Sequence, residues 1–243
     1  MSRSEIARAL VVVPTYNERE NIDRVVERLF ASGRELELLV VDDGSPDGTA
    51  DAAETHAGRH PVHVMRRAGK QGLGTAYVAG FRWAIERGYD AVVEMDADLS
   101  HDPGAVPQLL AALNDADLVI GSRYVEGGRI ENWGLFRRFL SRGGNLYARA
   151  WLGFGVRDST SGFRAYRVTA LKGTDLTGVS SEGYGFQIEM TRRMHKEGRR
   201  IVEVPITFVE RAEGRSKMSR RIVGEALVAV ARWGIRDRLA RGR

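Results

Sequence analysis

The stretch "ALVVVPTYNERENIDRVVERLF", residues 9–30, decides the fold. It opens on five apolar residues, Ala9 to Val13, that stop at Pro14. Rich in Val and too short for a helix, the run reads as a strand buried on both faces. Beyond the polar segment that follows, Ile22, Val25, Val26, Leu29 and Phe30 recur at the spacing of one helix face. The same alternation returns along the first half of the chain. "LELLVVDD" (36–43), "VHVMRR" (62–67), "AVVEMD" (91–96) and "DLVIGS" (117–122) read as strands. Between them Ala76, Ala79, Gly80, Trp83 and Ala84 keep helical spacing, as do Val106, Leu109, Leu110 and Leu113 after Pro103. Repeated β–α alternation implies a mainly parallel sheet with helices on both faces, joined by right-handed crossovers.

In such sheets ligands lie beyond the carboxyl ends of the strands. The residues that follow the five runs are "PTYNE", "DDGSPDGT", "RRAGKQGLG", "DADLS" and "SRYVEGGR", and all five carry acids or arginines. The second half is less regular. A Gly- and Arg-rich connection (127–145) precedes a helix to about Leu152, then "DSTSGFRAYR", a helix near 183–197, a strand "IVEVPITFVE" (201–210), a loop, and a final helix from about Arg220. With no repeat or Pro/Ser-rich linker, the 243 residues read as one large α/β domain.

The bulk composition, 43% hydrophobic and 28% charged, excludes a disordered or fibrous chain. The absence of cysteine excludes disulfides, thiolate metal ligands and a cysteine nucleophile. The apolar run at Ala9–Val13 is too short for a signal-peptide core, and "ALVAVA" (226–231) falls far short of the roughly 20 residues that cross a bilayer. Charge is uneven. Residues 211–243 hold ten Lys/Arg against three acids, a net +7, which leaves the first 210 residues at −2. A basic end on a nearly neutral body suits an anionic partner: nucleic acid, a phosphorylated ligand or lipid headgroups.

Several suggestive patterns fail on inspection. A dinucleotide fingerprint needs glycines after the opening strand, where this chain has "PTYNER"; "GKQGLGTAY" lacks the ending of a phosphate-binding P-loop. His56, His60 and His63 are interrupted by Gly58 and Pro61, which spoil a helical ligand face. "DDGSPDGTAD" has turn composition, with Asp47 or Thr49 suited to capping the next helix, while Asp43 stands on the ligand edge where it could accept hydrogen bonds from a base or ribose.

"MDADLS" is the sharper motif. In an extended segment Asp96 and Asp98 would point the same way, and two carboxylates at that spacing suit a hard cation, Mg²⁺ or Mn²⁺, that bridges to phosphate oxygens. Spacing alone leaves a solvated turn equally open. Asp102, before Pro103, reads as a helix cap. Arg123, Arg129, Arg164, Arg211, Arg215 and Lys217 stand in or beside loops, and their concentration there suits a polyanionic ligand.

Read in order, "VPTYNERENI", "VVDDGSPDGT", "GLGTAY", "MDADLSH", "GSRYVEGG", "TSGFRAYR", "EGYGFQIEM" and "EVPITFVERAEGRSKMS" resemble the dolichyl-phosphate (polyprenyl-phosphate) mannose synthases of glycosyltransferase family 2, from about Leu10 to Trp233. The resemblance implies a GT-A (Rossmann-like) fold and inverting transfer of mannose from GDP-mannose to a polyprenyl (dolichyl-type) phosphate. Residues 1–210 would form the catalytic part, and 211–243 a basic loop and C-terminal amphipathic helix of the same domain. Carried onto this chain, Pro14, Tyr16, Glu18, Val41 and Asp43 would line the nucleotide site. Asp96, Ala97 and Asp98 would approach the diphosphate and sugar, the two acids through the metal; Arg123, Arg211 and Lys217 would contact donor or acceptor phosphate, with Asp98 and Arg123 the catalytic pair. Some relatives place a Gln, as a third metal ligand, where this chain has Ser100.

A lipid acceptor implies work at the cytoplasmic face of a membrane. From Arg220 onward Ile222, Val223, Ala226, Leu227, Val230, Trp233 and Gly234 form a helical stripe that either meets headgroups or packs on the core. Family members carry fused transmembrane segments, separate membrane-anchoring subunits, or neither; no fused segment shows in this sequence. Three rival readings stand beside this one: a glucosyltransferase using UDP-glucose, a non-catalytic nucleotide-sugar-binding subunit, and a nucleic-acid module. The last lacks a reading motif, so no nucleic-acid partner is expected.

Overall fold

Strands that are apolar on both faces are stable only in the middle of a covered sheet, and the Val-rich runs pair accordingly. A computed structural model of the chain describes residues 5–33, 35–179, 183–210 and 220–241. The first half runs β1 (Ala9–Thr15), α1 (Arg19–Phe30), β2 (Glu37–Asp42), α2 (Thr49–Glu54), β3 (Val62–Arg66), α3 (Leu73–Glu86), β4 (Ala91–Glu94), α4 (Val106–Leu113) and β5 (Leu118–Ser122). There follow β6 (Arg129–Glu131), α5 (Leu135–Leu152), β7 (Arg164–Arg167), α6 (Val168–Gly173), α7 (Tyr184–Lys196), β8 (Ile201–Pro205), β9 (Thr207–Val209) and α8 (Arg220–Arg241).

Seven strands form one sheet in the order β3-β2-β1-β4-β7-β5-β8. Every neighbouring pair is parallel except those of β7, which runs antiparallel to β4 and β5. The reversal has a functional consequence. Because β7 points the other way, the residues before it, 158–163, reach the edge where β4 and β5 end.

Alternating side chains divide the core between the two faces. Val11, Val13, Leu38 and Val40 pack with α1 and α4, while Leu10, Val12, Leu39 and Val41 pack with α3 and α7. Each fully buried aliphatic side chain stabilises the fold by about 1.5–3 kcal/mol. A Cβ on Gly80 would fall 2.5 Å from a Val12 methyl, so α3 rests directly on β1 only because that position is glycine. With one seven-stranded sheet and one continuous core on each of its faces, the chain is a single α/β domain.

The structure departs from the expected elements in three places. β4 ends at Glu94, two residues early, and a turn follows. The strand expected over 201–210 divides at Pro205, which has no N–H for the ladder: β8 pairs with β5, and β9 pairs with β6 in a separate two-stranded sheet. Helix α5 begins at Leu135, inside the expected connection, and takes Gly143 and Gly144 into its interior. Each glycine there costs about 1 kcal/mol relative to Ala, offset by burial of Asn145, Ala148 and Leu152 on the inner side. The final helix packs on α5 and α7. Val230 is buried, Trp233 rests on the core, Gly234 lies against Trp151, and Asp237 bonds Arg192 and Lys196. That side of the stripe faces protein rather than headgroups; Ile222's side chain lies outside the described residues.

Candidate active site

At the ends of β1 and β2 the acids divide their roles. Asp42 holds the turn, accepting from Thr15 Oγ1 at 2.9 Å and from Ser45 N at 2.9 Å. Asp47 accepts from the Thr49 N–H at the start of α2, one residue ahead of Gly48, which takes the cap position expected of Asp47 or Thr49. Asp43 is buried and ion-paired: Arg67 Nε donates to Oδ1 at 2.5 Å and Gln71 N to Oδ2 at 3.1 Å. A ribose or base donor reaching Asp43 would use the second lone pair of oxygens already engaged. Arg67 also donates to Thr75 Oγ1 and the Gly72 carbonyl, so the glycine-rich loop is fastened to Asp43. Pro14 near the end of β1 and Tyr16 and Glu18 on the loop after it are half-buried, with Lys70 Nζ 5.0 Å from the Tyr16 ring and Asn21 Nδ2 donating to Glu18. Val41 has no exposed surface and lies under the site as a core residue.

The D-x-D residues sit on a turn, so period-two alternation is not what brings them together. Asp96 is half-buried, Ala97 is buried in the core, and Asp98 is buried with Oδ1 accepting from Ser100 N at 2.9 Å. Leu99, between them, adopts φ 59°, a left-handed conformation that is costly for a branched side chain. Asn17, on the loop after β1, does the same at φ 57°. Asp96 Oδ1 accepts from the Tyr77 hydroxyl at 3.3 Å, and its other oxygen is 3.5 Å from where a Cβ on Gly162 would stand. Among the described residues no three His, Cys, Asp or Glu side chains form a cage for a metal. Two hard carboxylate donors nevertheless fit a cation whose remaining positions are filled by diphosphate oxygens and water. The histidines have structural work instead: His56 and His63 bond Asp23 and Glu37, and His60 stacks on Phe30.

Behind this turn lies a buried polar layer. Arg164, expected as a loop cation, is wholly buried on β7 and donates to the carbonyls of Ser159, Ser161 and Gln187. It therefore ties the segment before β7 to α7 and is not placed to bind phosphate. Glu94 is wholly buried beside it and accepts from Gln187 Nε2 at 2.8 Å. Burial pushes the Glu94 carboxyl up to about 7, against the opposing pull of Arg164. Glu94 Oε1 and Gln187 Oε1 are both left without a hydrogen-bond partner.

Arg123 follows β5 as expected, but its charge is already answered. Its Nε and Nη2 donate to the two oxygens of Asp158 at 2.7 Å each, and Nη2 also reaches Thr160 Oγ1. Asp158 has no exposed surface; burial opposes its ionisation, yet Arg123 holds the carboxyl below its usual range. The rings of Tyr124, Trp133 and Phe208 surround the guanidinium at 5.3–5.4 Å. Asn145 of α5 bonds Thr160 and Ser159, tying that helix to the pair. Arg129 is exposed on β6, and Arg211, Arg215 and Lys217 lie outside the described residues.

Sequence reasoning passed over Asp158, Arg67 and the outer face of α5. The first two lay inside quoted motifs but had no assigned partner. On α5, Leu135, Phe136 and Phe139 are 84%, 78% and 76% exposed, with Arg137, Arg138 and Arg142 among them. Their i, i+1, i+4 spacing was readable as an amphipathic face.

The family model described as "Glycosyl transferase family 2" matches residues 10–174. An undecaprenyl-phosphate mannosyltransferase of Micrococcus luteus is 55% identical over 232 residues, 95% of this chain and 96% of that protein. A polyprenol monophosphomannose synthase of Mycolicibacterium smegmatis is 52% identical over 239 residues, 97% of this chain and 90% of that one. A mannosyltransferase structure from Pyrobaculum calidifontis, in complex with GDP-Man and Mn²⁺, superposes with a TM-score of 0.58 at 19% identity, covering 94% of this chain and 70% of that one. The last similarity concerns the fold alone.

Proposed function

The chain belongs to glycosyl transferase family 2 and is a glycosyltransferase, and we propose that it carries mannose from GDP-mannose to a polyprenyl monophosphate, inverting the anomeric centre. The observation that carries this reading is similarity over nearly the whole chain to two proteins named for mannose transfer to polyprenyl acceptors. The strand-end acids supply the chemistry such a reaction needs.

An oxygen of the acceptor phosphate bonds to the anomeric carbon on the face opposite GDP, and the β-phosphate oxygen of GDP leaves with the bonding electrons. A phosphate monoester is already anionic, so no side chain has to remove a proton. What remains is to hold both substrates in line and to offset the charge on the departing diphosphate. Asp96 and Asp98 would hold Mg²⁺ or Mn²⁺, which would supply positive charge there. Pro14, Tyr16, Glu18 and Asp43 line the nucleotide side, and Ala97 backs the sugar. Arg123, neutralised by Asp158, shapes the loop after β5, while Arg211 and Lys217 are assigned to phosphate.

A lipid acceptor requires a membrane surface. Among the described residues no helix is long and apolar enough to cross one. The exposed Leu135, Phe136 and Phe139, flanked by arginines, suit the boundary between headgroups and acyl chains, where apolar burial and attraction to anionic lipid act together. The membrane contact is therefore assigned to α5 before α8. Incubation of the purified chain with GDP-[¹⁴C]mannose or UDP-[¹⁴C]glucose, Mn²⁺ and undecaprenyl phosphate in vesicles tests the donor. Solvent-extractable label is expected from GDP-mannose, and equal or better transfer from UDP-glucose sinks the assignment.

A further inference from the structure

We propose that Tyr77 is a positioning residue for the cation site, its hydroxyl holding the Asp96 carboxylate in the orientation that receives the metal. The inference rests on the reading of Asp96 and Asp98 as the cation's ligands and adds to it a residue on a different element. Tyr77 belongs to α3, within "GLGTAY", and its side chain has no exposed surface.

A buried tyrosine that served only packing would be better replaced by phenylalanine, because a hydroxyl taken from water must recover its lost hydrogen bonds. The aromatic part is indeed well used: the Tyr77 ring stacks on Phe186 of α7 with centroids 5.8 Å apart and planes 14° from parallel. The hydroxyl has a different partner. It donates to Asp96 Oδ1 at 3.3 Å, while on the Oδ2 side Gly162 brings no side chain, a Cβ there standing 3.5 Å from that oxygen. A hydrogen bond to one oxygen narrows the carboxylate's terminal torsion, which is otherwise broad.

The placement is reinforced through α7. Gln187, next to Phe186, donates to Glu94, two residues before Asp96. One turn of α7 therefore supports both the tyrosine that meets Asp96 and the strand end that carries it. Asp98 needs no such side chain, because the Ser100 N–H already orients it. Partners that orient a metal ligand typically change metal affinity by 10–100-fold when removed.

Tyr77→Phe keeps the ring and its stack. The test is Mn²⁺ binding to the GDP-loaded protein, read as the free-Mn²⁺ signal in electron paramagnetic resonance, alongside the thermal midpoint. Tyr77→Phe is expected to weaken Mn²⁺ about tenfold, at the lower end of that range, without lowering the thermal midpoint. Raising Mn²⁺ should restore much of the lost kcat, which a purely structural defect would not allow. Phe186→Leu, which keeps the hydroxyl but loosens the ring, should shift affinity the same way by less. Asp98→Asn serves as the reference. If Asp98→Asn abolishes Mn²⁺ binding while Tyr77→Phe and Phe186→Leu bind like the parent, the positioning role is overturned and the metal reading stands. If Asp98→Asn binds Mn²⁺ like the parent, both are overturned.

Discussion

At the end of β4, Asp96 stands half-buried on a turn, one of its oxygens met by the Tyr77 hydroxyl. At the end of β5, across β7, Asp158 has no exposed surface and gives both oxygens to Arg123. Both carboxylates lie at the same edge of one sheet, within motifs that look alike in sequence, yet their charges do different work. A carboxylate oriented at an accessible edge can still take up a cation. A carboxylate matched to a guanidinium out of water has spent its charge on architecture, and breaking that match leaves an isolated buried ion. Position at a strand end therefore selects candidates, and pairing decides which of them face a ligand.

Substitutions separate the two ends in order of size. Asp98→Asn should lower transfer by on the order of 10³-fold, because the positive charge supplied to the diphosphate accounts for several kcal/mol, while leaving the urea midpoint near that of the parent. Unchanged turnover would remove the distinction at the β4 end. Arg123→Ala should instead show first in stability, with a loss of about 3–5 kcal/mol in urea unfolding from the stranded Asp158. A variant as stable as the parent but unable to use acceptor would show that Arg123 is a phosphate contact after all.

Glu94 lies between these two ends and provides a test by pH. Its folded carboxyl is raised to about 7 from an ordinary 4.5, so between those values the native chain holds a proton that the unfolded chain has released. Stability from this group is full below 4.5 and is lost as pH rises through 7, roughly 3 kcal/mol across the window. In EDTA-containing buffer the parent should lose that much between pH 4.5 and 8, and Glu94→Gln should show a flat profile. A fall of equal size in the variant would assign the effect to other groups. The smallest effect expected is at the surface. Replacing Phe136 and Phe139 together by Ser should weaken sedimentation with anionic vesicles by about tenfold, with soluble-donor binding unchanged. Full retention on vesicles would return the membrane contact to α8.

Much of the fold was legible because it follows from local chemistry. Val-rich runs too short for helices, separated by i, i+3, i+4 spacing, admit a parallel sheet and little else, and all five expected strands are present. β7 was harder to see: "RAYR" is short and charged, and it becomes a strand only because β4 and β5 flank it. Arg164 looked like a loop cation for the same reason. Its burial is set by the register that places it opposite Glu94 on one side and Ile120 on the other. α5 was half seen, since Gly143 and Gly144 suggested a connection, yet contacts with α8 keep the helix intact through them.

By itself the sequence determined the β–α order, the acids and arginines at the strand ends, the cap at Asp102 and the family motifs, since each depends on residues close together in the chain. Asp102 does cap the turn that Pro103 begins, accepting from Gly104 N. Only the tertiary structure decided that Arg123 answers Asp158, that Arg67 answers Asp43, that Tyr77 reaches Asp96, and that α5 turns Phe136 and Phe139 outward. The reason is physical: whether a charge is free for a ligand depends on which oppositely charged or hydrogen-bonding group folding brings to it and on how much water is left between them. Neither quantity is a property of neighbours in sequence.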